Sequence, residues 1–159
     1  MDAEAAALAR EMKDRQEIYD CIMRYCRGID RLDRAVLLSA YHPDAIDDHG
    51  GTYIGGIEGF ADAVLALHST YQEFTQHHIT NHRCELDGDV AHCESYYLFR
   101  CINKAPPWYN VSSGRYLDRL ERRRGCRHGS AVLGCHHSSS ARAFAAAFAI
   151  RQHVECEPA

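Results

Sequence analysis

Residues 74–102 read FTQHHITNHRCELDGDVAHCESYYLFRCI, and this stretch decides the fold. Polar and apolar side chains alternate on both sides of Asp87-Gly88-Asp89, a strong hairpin signal. The pattern predicts strands over 74–86 and 90–102. Ala105-Pro106-Pro107 makes a loop, and the same period returns over 109–122 as a third long strand. Upstream the period is helical: Leu8, Met12, Ile18, Tyr19, Ile22, Met23 and Tyr25-Cys26 recur at three- and four-residue intervals. A helix over 4–27 follows, with Gly28 as its expected C-cap and Asp30 just beyond its end. Asp33 reads as the N-cap of a short second helix with Val36, Leu37, Leu38 and Tyr41 on its apolar face, stopped by Pro43. A short strand over 45–49, a turn at Gly50-Gly51, a partner over 52–54 broken by Gly55-Gly56, and a helix over 57–70 complete the order. Helices, a short hairpin, one more helix and then an antiparallel meander make an α+β plan, with a curved sheet wrapped against helices on one face.

The totals bound the function. A chain of 159 residues fits one domain, 1–159, and buries about 70% of its unfolded surface. The formal charge of −4 gives a nucleic-acid role no electrostatic support. Arg119, Arg122, Arg123, Arg124 and Arg127 are interleaved with Asp118 and Glu121 and read as a solvated strand end. No apolar run reaches the length of a membrane span, and the start of the chain does not read as a signal peptide. The 8 cysteines form no CxxC pair, so reduced, mostly buried thiols in a cytoplasmic protein are expected. Cys126, His128, Cys135 and His136 match no recurrent zinc spacing, and no metal is expected. Neither a nucleotide fingerprint nor a nucleophile elbow occurs, which fits chemistry run by acid–base groups without a cofactor.

Two features carry candidate chemistry: Asp30, and the pair His77-His78. A carboxylate that meets an imidazole orients the ring and raises its basicity. His77 and His78 point to opposite faces of a strand, so one of them at most serves a cavity. His77 shares its expected face with Thr75, Ile79 and Asn81, and His78 with Gln76, Thr80 and His82. The apolar pattern does not choose between the faces.

The order Tyr25-x-x-x-x-Asp30, His42-Pro43-Asp44-Ala45, Asp47-Asp48-His49-Gly50, His77-x-x-x-Asn81 and Leu86-Asp87-Gly88-Asp89 resembles the SnoaL-like branch of the NTF2-like superfamily. The run Gly114-Arg115-Tyr116-Leu117-Asp118 through Arg122 fits the same branch, so the likeness spans about residues 10–123. The resemblance implies a cone-shaped antiparallel sheet whose mouth is closed by the N-terminal helices over one pocket. Its members include scytalone dehydratase, hexachlorocyclohexane dehydrochlorinase, ketosteroid isomerases and polyketide cyclases, besides non-catalytic adaptors.

The family's Asp–His couple falls on Asp30 and His77, the choice of His77 resting on its spacing to Asn81. Tyr25, Tyr41, His49, Tyr53, Asn81 and Tyr97 are then the expected substrate contacts. The implied activity is a cofactor-independent lyase or isomerase acting on a small cyclic or polyketide-like molecule. A ligand-binding or assembly module, or the small subunit of a ring-hydroxylating dioxygenase, is the alternative. Self-association as a dimer or trimer is implied as well. The chain departs from the family over 124–159, where Arg123-Arg124-Gly125-Cys126 replaces the expected Trp-containing strand.

Overall fold

The computed structural model describes residues 2–123, 132–133 and 136–138. Helix α1 (Ala3–Asp30) starts where the Asp2 carboxylate accepts the Ala5 N–H at 2.7 Å. It runs past its expected end. Gly28 is a buried interior residue, and Asp30 is the last helical residue. The stop is a Schellman turn: Leu32 takes a positive φ of 53°, its N–H reaches the Ile29 carbonyl, and the Asp33 N–H reaches that of Gly28 at 2.8 Å. Gly28 serves packing instead. A Cβ placed there would lie 2.5 Å from the Leu37 backbone, so the glycine lets helix α2 (Arg34–Leu38) lie directly on α1.

Asp33 caps α2 as expected, accepting the Val36 N–H at 3.0 Å. The helix closes at Leu38 through tight turns, before Tyr41 and well ahead of Pro43. Strands β1 (Ile46–Asp48) and β2 (Ile54–Gly56) pair antiparallel. Gly55 and Gly56 do not break that pairing; they face Asp47 and Ile46 within it. Helix α3 (Ile57–Tyr71) follows directly.

The meander is β3 (Gln72–Asp87), β4 (Val90–Asn103) and β5 (Tyr109–Arg123), paired antiparallel along their lengths. The sheet order is β2-β1-β7-β5-β4-β3, with β7 (His136–Ser138) between β1 and β5, while β6 (Val132–Leu133) pairs with β5 off that path. Of the extra strand expected near 130–134, β6 is the described part. The Ala-rich segment 141–150 lies outside the described residues, as do Cys126, His128 and Cys135.

Helix α3 contacts β1 and β2 at one end of this order and β3 at the other. A single helix of 15 residues can touch both edges only if the sheet curls around it. Ile18, Ile22 and Ile29 of α1, Leu37 of α2 and Phe60 and Ala61 of α3 are buried with Ala91 and Leu120 of the sheet. Each fully buried large apolar side chain contributes roughly 1.5–3 kcal/mol. Cys21, Cys26, Cys84, Cys93 and Cys101 are buried. Among the described residues, no helix is long and apolar enough to cross a membrane.

The contact at Gly28 gives a stability test. Gly28→Ala forces the α1–α2 contact apart and is expected to cost about 1–3 kcal/mol in urea unfolding. Gly56→Ala, with open space around the added methyl, is the control and should shift the midpoint far less.

Candidate functional site: two Asp–His pairs around one cavity

Asp30 sits in the last turn of α1, where the helix dipole disfavours an anion by roughly 0.3–1 kcal/mol. Three hydrogen bonds hold it there. Its Oδ1 lies 2.7 Å from the His77 Nδ1, its Oδ2 accepts the His77 backbone N–H at 2.9 Å, and Oδ1 accepts the Thr75 hydroxyl at 3.2 Å. The side chains of His77 and Asp30 are 7% and 16% exposed. Burial pushes the Asp30 carboxyl up. The His77 ring and backbone N–H together with the Thr75 hydroxyl outweigh it, and hold the group below its ordinary 3.8. An ionised Asp30 makes His77 Nδ1 the donor, so the neutral ring carries its lone pair on Nε2. His78, on the opposite face, is outside this arrangement.

His77 lines a cavity of about 360 Å³. The wall also takes in Tyr25 and Ile29 of α1, His49 and Tyr53 of the turn between β1 and β2, Phe60 and His68 of α3, Tyr97 and Phe99 of β4, and Tyr116 of β5. Its volume and mainly apolar lining suit a small organic molecule. The His77 ring packs on Phe99 with centroids 4.7 Å apart and meets Tyr25 edge-on at 6.2 Å. Tyr97 stacks on Tyr116 at 4.5 Å and lies across Gly114, where an added Cβ would meet its hydroxyl at 2.7 Å.

A second pair faces the same cavity. The Asp47 carboxylate is fully buried; its Oδ1 hydrogen-bonds His49 Nδ1, and its Oδ2 accepts the Tyr41 hydroxyl at 2.8 Å. His49 Nε2 lies 3.3 Å from the Tyr25 hydroxyl, and the ring stacks on Phe60 at 4.8 Å. Burial, then Tyr116, then Asp47 raise the Tyr25 hydroxyl well above its ordinary 10.0, so it keeps its proton.

Four of the expected substrate contacts, Tyr25, His49, Tyr53 and Tyr97, line the cavity. Two do not. Tyr41 is buried against Asp47, its hydroxyl used there. Asn81 is exposed because β3 carries a bulge: Ile79 pairs with Tyr97 and His82 with Ser95, so Thr80 and Asn81 together oppose Tyr96. The bulge shifts the alternation by one and turns His82 inward, where its Nδ1 meets the buried Ser95 hydroxyl at 2.8 Å.

His68 is 8% exposed on the cavity wall. Its Nδ1 has no hydrogen-bond partner among the described residues. Burial, helped by the neighbouring His77, drives its pKa down to about 4, so the ring is neutral at physiological pH. Cys26 is no nucleophile: burial and then the charge of Asp30 push its thiol far up. Phe60, Phe99, Tyr116 and His68 are not expected at the wall from sequence, because long-range packing alone brings them there. The Asp47–His49 pair had a signal, since residues two apart in a strand share a face.

Two pH effects follow. The depressed Asp30 carboxyl contributes stability that is present above 3.8 and is lost as pH falls through its folded value. Asp30→Asn should lower stability by about 1–3 kcal/mol at pH 7 and narrow its deficit against wild type in strong acid. His68 is neutral when folded, whereas the unfolded chain binds its proton below 6.5; wild-type stability therefore drops as pH falls from 6.5 toward 4. Urea titrations of His68→Gln across that window should show a flatter decline.

The model of the SnoaL-like domain matches residues 10–126 of this chain. Hexachlorocyclohexane dehydrochlorinase LinA-type3 from Novosphingobium barchaimii superposes with a TM-score of 0.68 at 21% identity, over 79% of this chain and 84% of that one. A candidate scytalone dehydratase from Novosphingobium aromaticivorans gives 0.68 at 13% identity, over 79% and 81%. A variant of Rv3472, a Mycobacterium tuberculosis protein of unknown function, gives 0.64 at 21% identity, over 79% and 73%. No protein of curated function matches. At these identities the three structures are relatives in fold. With the domain model matched along most of its length, the chain belongs to the SnoaL-like family of NTF2-like α+β proteins.

Proposed function

We propose that this protein is a cofactor-independent lyase or isomerase in which His77 removes a proton next to a carbonyl of a small cyclic, polyketide-like substrate. The observation that carries the reading is the 2.7 Å contact between His77 Nδ1 and the Asp30 carboxylate at the wall of an apolar cavity. Asp30 holds the ring with Nε2 as base and stabilises the imidazolium once the proton has moved. The pair is largely buried beside a mainly apolar lining, so it acts in a medium where it is worth more than in solution. The dehydrochlorinase and dehydratase among the fold relatives lend the same class of chemistry support. Self-association belongs to this reading too, supported by exposed Tyr96, Leu98, Ile102, Tyr109 and Val111 along β4 and β5; sedimentation equilibrium reads it.

Proton removal can be measured apart from any leaving group. In D₂O, α-tetralone placed with the enzyme should exchange its α-protons, followed by NMR. His77→Gln is expected to slow that exchange by about 10²–10⁴-fold, and Asp30→Asn by at least tenfold with the fold retained. Exchange that persists unchanged in His77→Gln would remove His77 as the base. A binding module would show saturable shifts of tetralone resonances with no exchange above buffer.

A further inference from the structure

Away from the cavity, β3 and β4 carry two cysteines at directly opposed positions. Cys84 pairs with Cys93, and among the described strand pairs no other cysteine faces a cysteine. The hairpin turn fixes the geometry between them. Gly88 takes a φ of 59° and Asp87 pairs with Val90 across Gly88-Asp89, so that pair exchanges both backbone hydrogen bonds. Pair types alternate from there, and the register does not shift before the bulge between Ile79 and His82. Leu86–Ala91 is therefore non-hydrogen-bonded, Glu85–His92 hydrogen-bonded and Cys84–Cys93 non-hydrogen-bonded. The Cys84 carbonyl agrees: β3 is the edge strand, and that carbonyl points off the edge to accept the Arg15 guanidinium at 2.9 Å.

Non-hydrogen-bonded partners have Cα atoms about 4.5 Å apart and side chains on one face. A disulfide spans Cα separations of roughly 4.4–6.8 Å, so the two strands already stand at bonding distance. The side chains meet as well: both are buried, and the two thiols share a hydrogen bond. We propose that Cys84 and Cys93 are an oxidation site, a two-electron redox couple whose disulfide staples β3 to β4. The oxidant is a small neutral hydroperoxide, hydrogen peroxide being the simplest, and the reductant is a dithiol.

One sulfur attacks a peroxide oxygen. An S–O bond forms as the O–O bond breaks, the thiol proton leaves with hydroxide as water, and a sulfenic acid remains. The opposed sulfur displaces that hydroxyl: the S–S bond forms, the S–O bond breaks, and the second thiol proton leaves with it as water. The sulfurs give up two electrons and the peroxide takes them. A dithiol reverses the couple by exchange and ends as its own cyclic disulfide. Burial, then the hydrogen bond with Cys84, pushes the Cys93 thiol up, so the pair reacts on sustained exposure and is no fast sensor. The bond closes a short loop around the turn. It narrows the unfolded ensemble and leaves the folded strands in place, so the oxidised form is the more stable.

Trypsin releases residues 84–100 as one fragment, CELDGDVAHCESYYLFR, which holds both sulfurs and no other cysteine. Folded, reduced protein is kept in hydrogen peroxide, quenched with catalase, unfolded and alkylated with iodoacetamide before digestion. The fragment should then be lighter by two hydrogens and carry no alkyl group, and should accept two after dithiothreitol. Its appearance should track a rise in the urea midpoint that dithiothreitol reverses. In Cys93→Ala, peroxide should leave the midpoint where it was. Two alkyl groups on the fragment, a sulfinic acid on either sulfur, or a bond from this fragment to another would overturn the couple. Cross-linking without a rise in midpoint, or an equal rise in Cys93→Ala, would overturn the staple. The fragment map is made on the wild-type chain, so it decides the case even where a variant does not fold.

Discussion

The Asp30 carboxylate is the point on which the site depends. One oxygen takes the ring of His77 and the other takes its backbone N–H, so a single side chain fixes both where β3 begins its run past α1 and how the imidazole is turned. Helix dipole and burial both work against an anion there, and the hydrogen bonds outweigh them. A helix end and a strand are thus joined through a polar contact in a place where packing alone would have favoured an apolar residue. Breaking it removes more than one bond, because the carboxylate would be left in a half-buried position without partners.

Curvature supplies the rest. Because α3 touches both ends of the strand order, the sheet must close around it, and the closure brings His49 and His77 to one cavity. The aromatic wall follows from the same geometry. Tyr25 packs against Tyr41, Phe60, His77 and Tyr116, so its hydroxyl is held by neighbours from each layer of the fold. Such a ring cluster is rigid, and the polar groups set in it keep their positions without a bound ligand.

The long elements were legible from the chain alone. Residues 74–102 form two strand-like runs about the Asp87-Gly88-Asp89 turn, and the observed hairpin β3–β4 departs from the expected bounds by only a residue or two at its ends. The N-terminal helix was equally plain, but its end was not. Gly28 looks like a cap because glycine takes left-handed backbone without strain, yet here Leu32 takes that conformation and Gly28 makes room for Leu37. A residue's role at a helix end depends on what packs there, and local sequence does not carry that information. Asn81 shows the same limit in a strand: one extra residue at Thr80-Asn81 inverts the faces beyond it, and nothing local marks the bulge.

By itself the sequence determined the order of helices and strands, the hairpin, the buried thiols of the core and the acid and imidazole worth watching, because hydrophobic period and turn chemistry are written in neighbouring residues. The tertiary structure alone decided that Asp30 and His77 share a hydrogen bond, that Asp47 and His49 form a second pair, that Tyr25 lies between them and that Asn81 turns away. Those relations join residues up to 47 positions apart. Their distances are set by sheet curvature, a bulge and a glycine contact, which arise only when the layers pack.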